Sequence, residues 1–518
     1  MKKQVSKTTV LCAIASLLVV VLTLTAWFVF LPYYNSKHFV AAAPSNLNTV
    51  SALEPKAAYG DFYISPDGDD SNNGTYEHPF RTVAAAQKAV RKMDKQYLSH
   101  IVVSILGGTY QTDGLKFTKK DSGTDSCSVI YCAYGNGEVI FDGGASYDER
   151  RQSDSSSLVE VDGASYFSIS GISFINAKGS GITLKGSNIN IDGCRIQDIA
   201  GCGIVCDGNK ISVSSCIINY TGASGITVNG GEMKTLSPSN NSIDNNLISY
   251  TSQNNPQAPS AMLSGVGTVF SNNEIVNSPA CAVYYTGNGN VIEYNYIHNT
   301  VLTDSSQAAI DSPYFRWDCY GNFVRYNCLN LIGTKIVGGD FCGIRACSGT
   351  EIVQNILLNI FGQNATGIQL NGCRDVTVKN NIFVNTGLAV NADEYDRAYE
   401  QEALELLENS PYQSKEWKKM FPTCAEISTD SQQDGYAVHP CGNTVTDNIA
   451  MQSANSIGHF AGEFKKGADI KTNAVFSLGH RHVFTDFKNG IYTIDANSED
   501  FGSNSEFEDI PFESIGRY

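Results

Sequence analysis

The sequence predicts an all-β chain wound as a parallel solenoid, and two internal registers and the composition carry that prediction. Gly171-Ile172-Ser173-Phe174 is answered by Gly193-Cys194-Arg195-Ile196 and by Ser215-Cys216-Ile217-Ile218, each 22 residues on. Gly181-Ile182-Thr183-Leu184, Gly203-Ile204-Val205-Cys206 and Gly225-Ile226-Thr227-Val228 keep the same offset of 22. Apolar and polar residues alternate inside each block, which is the period of a strand. A unit of this length holds three short strands and their turns, so each repeat is one coil, stacked on the next at about 4.8 Å. Ile172, Cys194 and Ile217 are expected to face related positions in successive coils. Forty-seven glycines and 17% charged residues suit such a chain. A solenoid grows along one axis, so 518 residues need no division into separate cores.

From the amino terminus, Lys2, Lys3 and Lys7 precede an uncharged, mainly apolar run from Thr8 to Leu31 that ends at Pro32. The run is long enough to span a bilayer, with the positive flank inside and the remainder outside. Residues 1–31 therefore read as a cytoplasmic stub with a signal anchor, or as a signal peptide cleaved near Ala43, and 32–58 as a linker. The expected location is extracytoplasmic, held to the membrane by the N-terminal helix or secreted.

Residues 59–160 read as an N-terminal cap and the first coils. Asp61–Gly74 is a strand entering an acidic turn, and Thr82–Lys92 is a short amphipathic helix with Thr82 as its cap. A helix there covers the open apolar end that a solenoid otherwise exposes. The acidic turn lacks the closing bidentate Glu of a calcium loop, with His78 in that place, so it is read as a turn.

From residue 161 to 518 the coils continue with longer loops. Asn246, Asn273, Asn295, Asn327, Asn355, Asn381, Asn448 and Asn473 each introduce an apolar strand. Asparagine tolerates left-handed corners and its amides can stack as a ladder. Insertions are expected at 299–320 and at 395–437, the latter helical, and extra residues in a solenoid collect on one side, often the binding side. All fifteen cysteines except Cys12 follow the linker. Cys194 and Cys216 are one repeat apart, and no Cys/His pair has zinc-ligand spacing, so they are read as buried packing residues. Neither a metal nor a cofactor is expected. A net charge of -16 without a Lys/Arg cluster excludes nucleic acid as a partner. It also weighs against polyanionic substrates.

Phe62-Tyr63-Ile64-Ser65-Pro66-Asp67-Gly68-Asp69-Asp70, Pro79-Phe80-Arg81-Thr82 and Gly107-Gly108-Thr109-Tyr110 resemble the opening of right-handed parallel β-helix proteins of the pectate-lyase-like superfamily. The likeness extends through Ile292-Glu293-Tyr294-Asn295, Val324-Arg325-Tyr326-Asn327 and Asn380-Asn381-Ile382-Phe383-Val384 to Ile510-Pro511-Phe512-Glu513. Within that group the chain resembles glycoside hydrolase family 141, which includes fucosidases and xylanases. The resemblance implies a right-handed β-helix and a polysaccharide or oligosaccharide as partner.

The family's two aspartate-bearing segments are altered. One reads Ser305-Ser306-Gln307-Ala308-Ala309-Ile310-Asp311 and the other Gly343-Ile344-Arg345-Ala346-Cys347-Ser348-Gly349. Glycoside hydrolysis needs two carboxyl groups across the bond, and Ser and Cys cannot replace them. Asp304, Asp311, Asp318 and Asp340 lie nearby and are the candidate catalytic carboxylates. Tyr314 and Trp317 are candidate stacking rings, beside Phe315 and Tyr320. Arg345 is a candidate clamp, and the Arg374–Asp375 pair occupies a family segment that reads His-Gly-Gly-Arg-Asp. Three functions fit: a divergent glycoside hydrolase, a glycan-binding surface protein without catalysis, and a polysaccharide lyase with Arg345 or Lys335 as base. Any glycan is expected between the 299–320 insertion and the 338–349 segment.

Overall fold

In the computed structural model the described residues are 60–518, apart from 314–316, 318, 335–338, 394–396, 434, 453–455, 478–482, 488–490, 496–497 and 499–506. The apolar run at 8–31 therefore lies outside the described residues, as do Tyr314, Asp318 and Lys335. Among the described residues, no helix is long and apolar enough to cross a membrane.

Thirty-four described strands join in one array whose pairings are all parallel, and each coil contributes to three faces. Face 1 stacks Ser173–Ala177, Arg195–Ile199 and Ile217–Thr221 in register, and continues to Ala474–Phe476. Face 2 stacks the stretches that begin at Ile182, Ile204 and Ile226, and runs on through Ala308–Asp311, Cys342–Arg345 and Thr366–Gln369 to Gly458–Phe460. Face 3 stacks Phe167–Ser170, Ile189–Asp192 and Ile211–Ser214. Inward aliphatic side chains from the three faces form one continuous core.

The corner between faces 3 and 1 carries an unbroken asparagine ladder. The Nδ2 of Asn246, Asn273, Asn295, Asn327, Asn355, Asn381 and Asn448 donates to the Oδ1 of the next asparagine at 2.9–3.1 Å, ending at Asn473. The same Oδ1 accepts the backbone N–H of the preceding rung, as between Asn327 and Asn355 at 3.0 Å. Each Nδ2 also reaches back to a carbonyl, as Asn355 does to Val324 at 2.8 Å. The left-handed backbone at this corner belongs to the residue before each rung: Asn245, Asn272, Tyr294, Tyr326, Gln354, Asn380, Asp447 and Thr472 all have positive φ. The rung asparagine is there for its amide and not for its backbone freedom.

One register and the end of the solenoid differ from expectation. Cys216, not Ile217, follows Ile172 and Cys194 in the corner column, because Ile217 pairs with Arg195. Cys216 also donates its backbone N–H to Asn246 Oδ1 at 2.9 Å, so the ladder begins where the cysteine column ends. The solenoid itself ends with Ala474–Phe476. Phe484–Asp486 and Ile491–Ile494 form a separate antiparallel pair. The tail then turns back along the outside of face 1, covering Tyr296, Cys328, Ile356, Ile382 and Ile449 with Phe484, Tyr492, Ile510 and Ile515. It is tied down where Gly516 N–H meets Tyr294 O at 2.7 Å and Tyr518 N–H meets Asn245 Oδ1 at 3.0 Å.

The cap forms as read. Helix α1, Val83–Val90, starts at Thr82, whose hydroxyl accepts Ala85 N–H at 3.2 Å. Asp70 of the acidic turn accepts the N–H groups of Arg81 and Thr82 at 3.0 and 2.9 Å, which makes it a turn brace. All fourteen described cysteines are free thiols. Cys194 and Cys216 are buried and donate to the carbonyls of Asp192 and Ser214 at 3.5 and 3.2 Å.

The buried amide of an interior rung such as Asn355 accepts two hydrogen bonds and donates to three partners. Asn355→Ala leaves those groups unpaired and is expected to lower unfolding free energy by about 3 kcal/mol or more. Gln432→Ala, on an exposed turn, is expected to stay within about 0.5 kcal/mol. Denaturant titration of the two variants checks the difference, and equal losses contradict the role given to the ladder.

Candidate functional site

The motif that builds face 2 is a small residue, an aliphatic residue and a third position that varies. The aliphatic residue points into the core, so the third points out. Read coil by coil, the outward row is Lys116, Glu160, Thr183, Val205, Thr227, Met262, Tyr284, Asp311, Arg345, Gln369, Asn391 and His459. Twelve positions at strand spacing make a floor roughly 53 Å long.

A wall rises beside it. On the edge shared with face 3, helices α2 (Glu400–Asn409), α3 (Lys415–Met420) and α4 (Pro422–Ala425) form a lateral block between the strands Leu388–Ala392 and Asn443–Thr446. Trp417 anchors the block, with its indole N–H on Met233 O at 2.9 Å, and it packs with Trp317, Tyr320, Leu407 and Ile427. On the edge shared with face 1 lie the turns that carry Asp304 and Asp340.

The floor is most buried at its centre. Arg345 Nη1 lies 3.2 Å from Asp311 Oδ1, with the two side chains 18% and 6% exposed. Arg345 Nη2 donates to Ser306 O at 2.7 Å, and Asp311 Oδ2 accepts Ala308 N–H at 3.1 Å. Burial pushes the Asp311 carboxyl above its ordinary value, against the pull of Arg345 and of the N–H groups of Ala308 and Ser312. Further along, Asn391 Nδ2 donates to Asp393 Oδ2 at 3.0 Å, and His459 Nε2 lies 4.0 Å from the other oxygen.

The remaining expected site residues divide. Asp304 sits on the rim, where its Oδ1 accepts Ser306 N–H at 2.8 Å; that bond holds its carboxyl below the usual range. Asp340, on the next coil's rim, accepts Asn364 N–H and Nδ2 at 2.7 and 3.0 Å. Both are turn braces. Trp317 cannot serve as a stacking ring, since it is fully buried under the lateral block. Arg374 and Asp375 also leave the site: Arg374 Nη1 donates to Gly435 O at 2.9 Å, and Asp375 accepts the Tyr320 hydroxyl. Together they fasten the block to the solenoid. Sequence reasoning missed Tyr284, Gln369, Asn391 and His459. The small–aliphatic–variable triplet marked all of these except His459, whose triplet is degraded to Ile457-Gly458-His459.

Two cavities, of about 470 and 270 Å³, lie elsewhere, over the first coils beside Arg81, Tyr110 and Thr112 and beside Asp154 and Lys178. The floor of face 2 is a long row of side chains flanked by the lateral block, an arrangement that suits an extended chain better than a small ligand.

Comparison with known proteins agrees with the architecture. Residues 62–274 match the family model "Pel9A-like, right handed beta helix region". A stretch of 94 residues is 35% identical to pectate lyase PEL9 of Emericella nidulans, covering 18% of this chain and 21% of that one. Another of 86 residues is 38% identical to the uncharacterized protein YwoF of Bacillus subtilis, covering 16% of each. The chain thus spans about a fifth or less of these curated relatives. Among solved structures, the PL6 family polysaccharide lyase Pedsa3628 from Pseudopedobacter saltans superposes with a TM-score of 0.53 at 13% identity, over 88% of this chain and 99% of that one. The PL6 family alginate lyase AlyGC gives 0.54 at 14% identity, over 84% and 57%.

The position of Asp311 is open to a direct test. Its folded pKa lies above the unfolded one, so its contribution to stability is intact below the ordinary carboxylate range and is lost as pH rises through the raised value. The stability of Asp311→Asn relative to the native sequence is therefore expected to improve between about pH 4 and pH 7. Denaturation midpoints across this range check it, and a difference that is flat or worsens with pH contradicts the assignment. With the Pel9A-like match across its first coils and the parallel stack continuing beyond them, the chain is a right-handed parallel β-helix.

Proposed function

We propose that this is an exported, membrane-anchored or secreted surface protein that holds a polysaccharide along the trough of face 2 without cleaving it by the two-carboxylate route. The outward row carries this reading. It offers hydrogen-bonding side chains at consecutive coils, flanked by the lateral block, on a fold whose relatives include proteins named as polysaccharide and pectate lyases. The apolar run at 8–31 supports the location.

Hydrolysis is less well supported. It needs two carboxyl groups roughly 5–9.5 Å apart across the bond. Along the row, Asp311 is followed by Asp393 only three coils later, roughly 14 Å at strand spacing. The rim carboxylates Asp304 and Asp340 are committed to braced turns. A lyase route through Arg345 as base requires its guanidinium to leave both Asp311 and Ser306. Binding needs none of these changes.

Titration calorimetry with soluble xylan, arabinoxylan and β-glucan tests the reading. Gln369→Ala and Asn391→Ala are each expected to weaken binding about five- to tenfold, the loss of one or two hydrogen bonds. Asp304→Asn on the rim is expected to stay within about twofold. Binding that survives both floor substitutions unchanged removes the trough from the reading.

A further inference from the structure

Resting on the reading of face 2 as a glycan trough, we infer that it is built for an uncharged glycan and rejects polyuronates, because Asp311 has already taken up the cation at its centre. A polyuronate presents a carboxylate on every sugar and needs free cations along its path. At the centre of the floor, among its described residues, the permanent cation is Arg345; Lys116, near the first coils of the same row, is paired with Glu160 at 3.0 Å. Both terminal nitrogens of Arg345 are engaged, one by Asp311 at 3.2 Å and the other by Ser306 O at 2.7 Å. The centre of the floor is therefore a neutral pair.

The surroundings add repulsion. Asp304 and Asp340 stand on one rim over the same two coils, and Asp393 lies beside Asn391 farther along. His459, 63% exposed at the far end, is a cation only when protonated, and Asp393 faces it. Lys185 lies toward the other end, roughly 30 Å from Arg345 at strand spacing. It shares its row with Asp207, one coil on. A chain of carboxylates laid on this floor would lose hydration and gain no opposite charge, which is how a site excludes a ligand of the right shape. A neutral chain meets Tyr284, Gln369 and Asn391 without that penalty. Asp311 is thus the residue that sets specificity, through Arg345.

Polygalacturonate and its fully methyl-esterified form have one backbone and differ in charge, so they isolate this effect. Binding of both to the full exported chain is measured at pH 7.5, alongside the neutral polymers above, at about 20 mM and about 500 mM salt. The native protein is expected to prefer the ester or another neutral polymer, with little dependence on salt. Asp311→Asn keeps the shape and removes the carboxylate that faces Arg345. It is expected to raise affinity for polygalacturonate about tenfold or more, a gain lost at the higher salt. Arg345→Gln is expected to show no such gain. Thermal melting establishes that each variant is folded, and the comparison within the native protein stands if one is not. Preference of the native protein for polygalacturonate, steep in salt, overturns the inference and leaves the trough reading intact. So does a folded Asp311→Asn that gains nothing. Failure of every polymer to bind removes the trough reading itself.

Discussion

The buried amide ladder at the corner between faces 3 and 1 is the constraint on which the rest of this molecule depends. Parallel strands permit slippage, and a slip of one residue turns every side chain to the wrong side of its sheet. Aliphatic packing resists this only weakly when Ile, Val and Leu recur everywhere. A chain of asparagines is less forgiving. From Asn246 to Asn473, each amide must meet the next, and each carbonyl oxygen must also receive a backbone N–H. A slipped coil buries these groups unpaired. Loops between rungs range from short turns to the whole lateral block between Asn381 and Asn448, yet the rungs still meet at 3.0 Å. The ladder lets loops vary while the outward row of face 2 stays in line.

That separation explains what the sequence made legible. The coil repeat, the capping helix, the helical insertion and the ladder all depend on local pattern or on a fixed period, and each could be read from residue order. The row on face 2 was legible in principle, since Ala309-Ile310-Asp311, Gly343-Ile344-Arg345, Gly367-Ile368-Gln369 and Ala389-Val390-Asn391 repeat one triplet. Nearness in sequence was the poorer guide. Asp304 and Asp340 sit close to Asp311 and Arg345 along the chain, but several residues of extended strand separate them from the floor, and their carboxylates close turns. Trp317 reads as a candidate stacking ring because it lies in the 299–320 insertion among other aromatic residues. Its burial depends on Trp417 and Leu407, about a hundred residues later, which no local pattern announces.

The same geometry changes what the altered aspartate segments mean. The two segments that the resemblance singles out meet here as an ion pair. Asp311 and Arg345 stand on adjacent coils, so strand spacing brings them together without any help from loops. Pairing in a half-buried place costs desolvation, and the raised Asp311 carboxyl records that cost. The pair also receives Ala308 N–H and gives a bond to Ser306 O, so neither partner is left with an unmet charge.

A solenoid can tolerate such a change because its stability is spread along the axis. Each coil contacts its neighbours, and the outward row on face 2 contributes little to the core beneath it. The inward Ile310, Ile344 and Ile368 stay packed whatever stands at 311, 345 and 369. Substitutions on the floor are therefore free to follow the ligand. Those at Trp317, Arg374 and Asp375 are not, because these residues hold the lateral block to the coils. The chemistry of the outward row can vary while the lateral block beside it stays fixed.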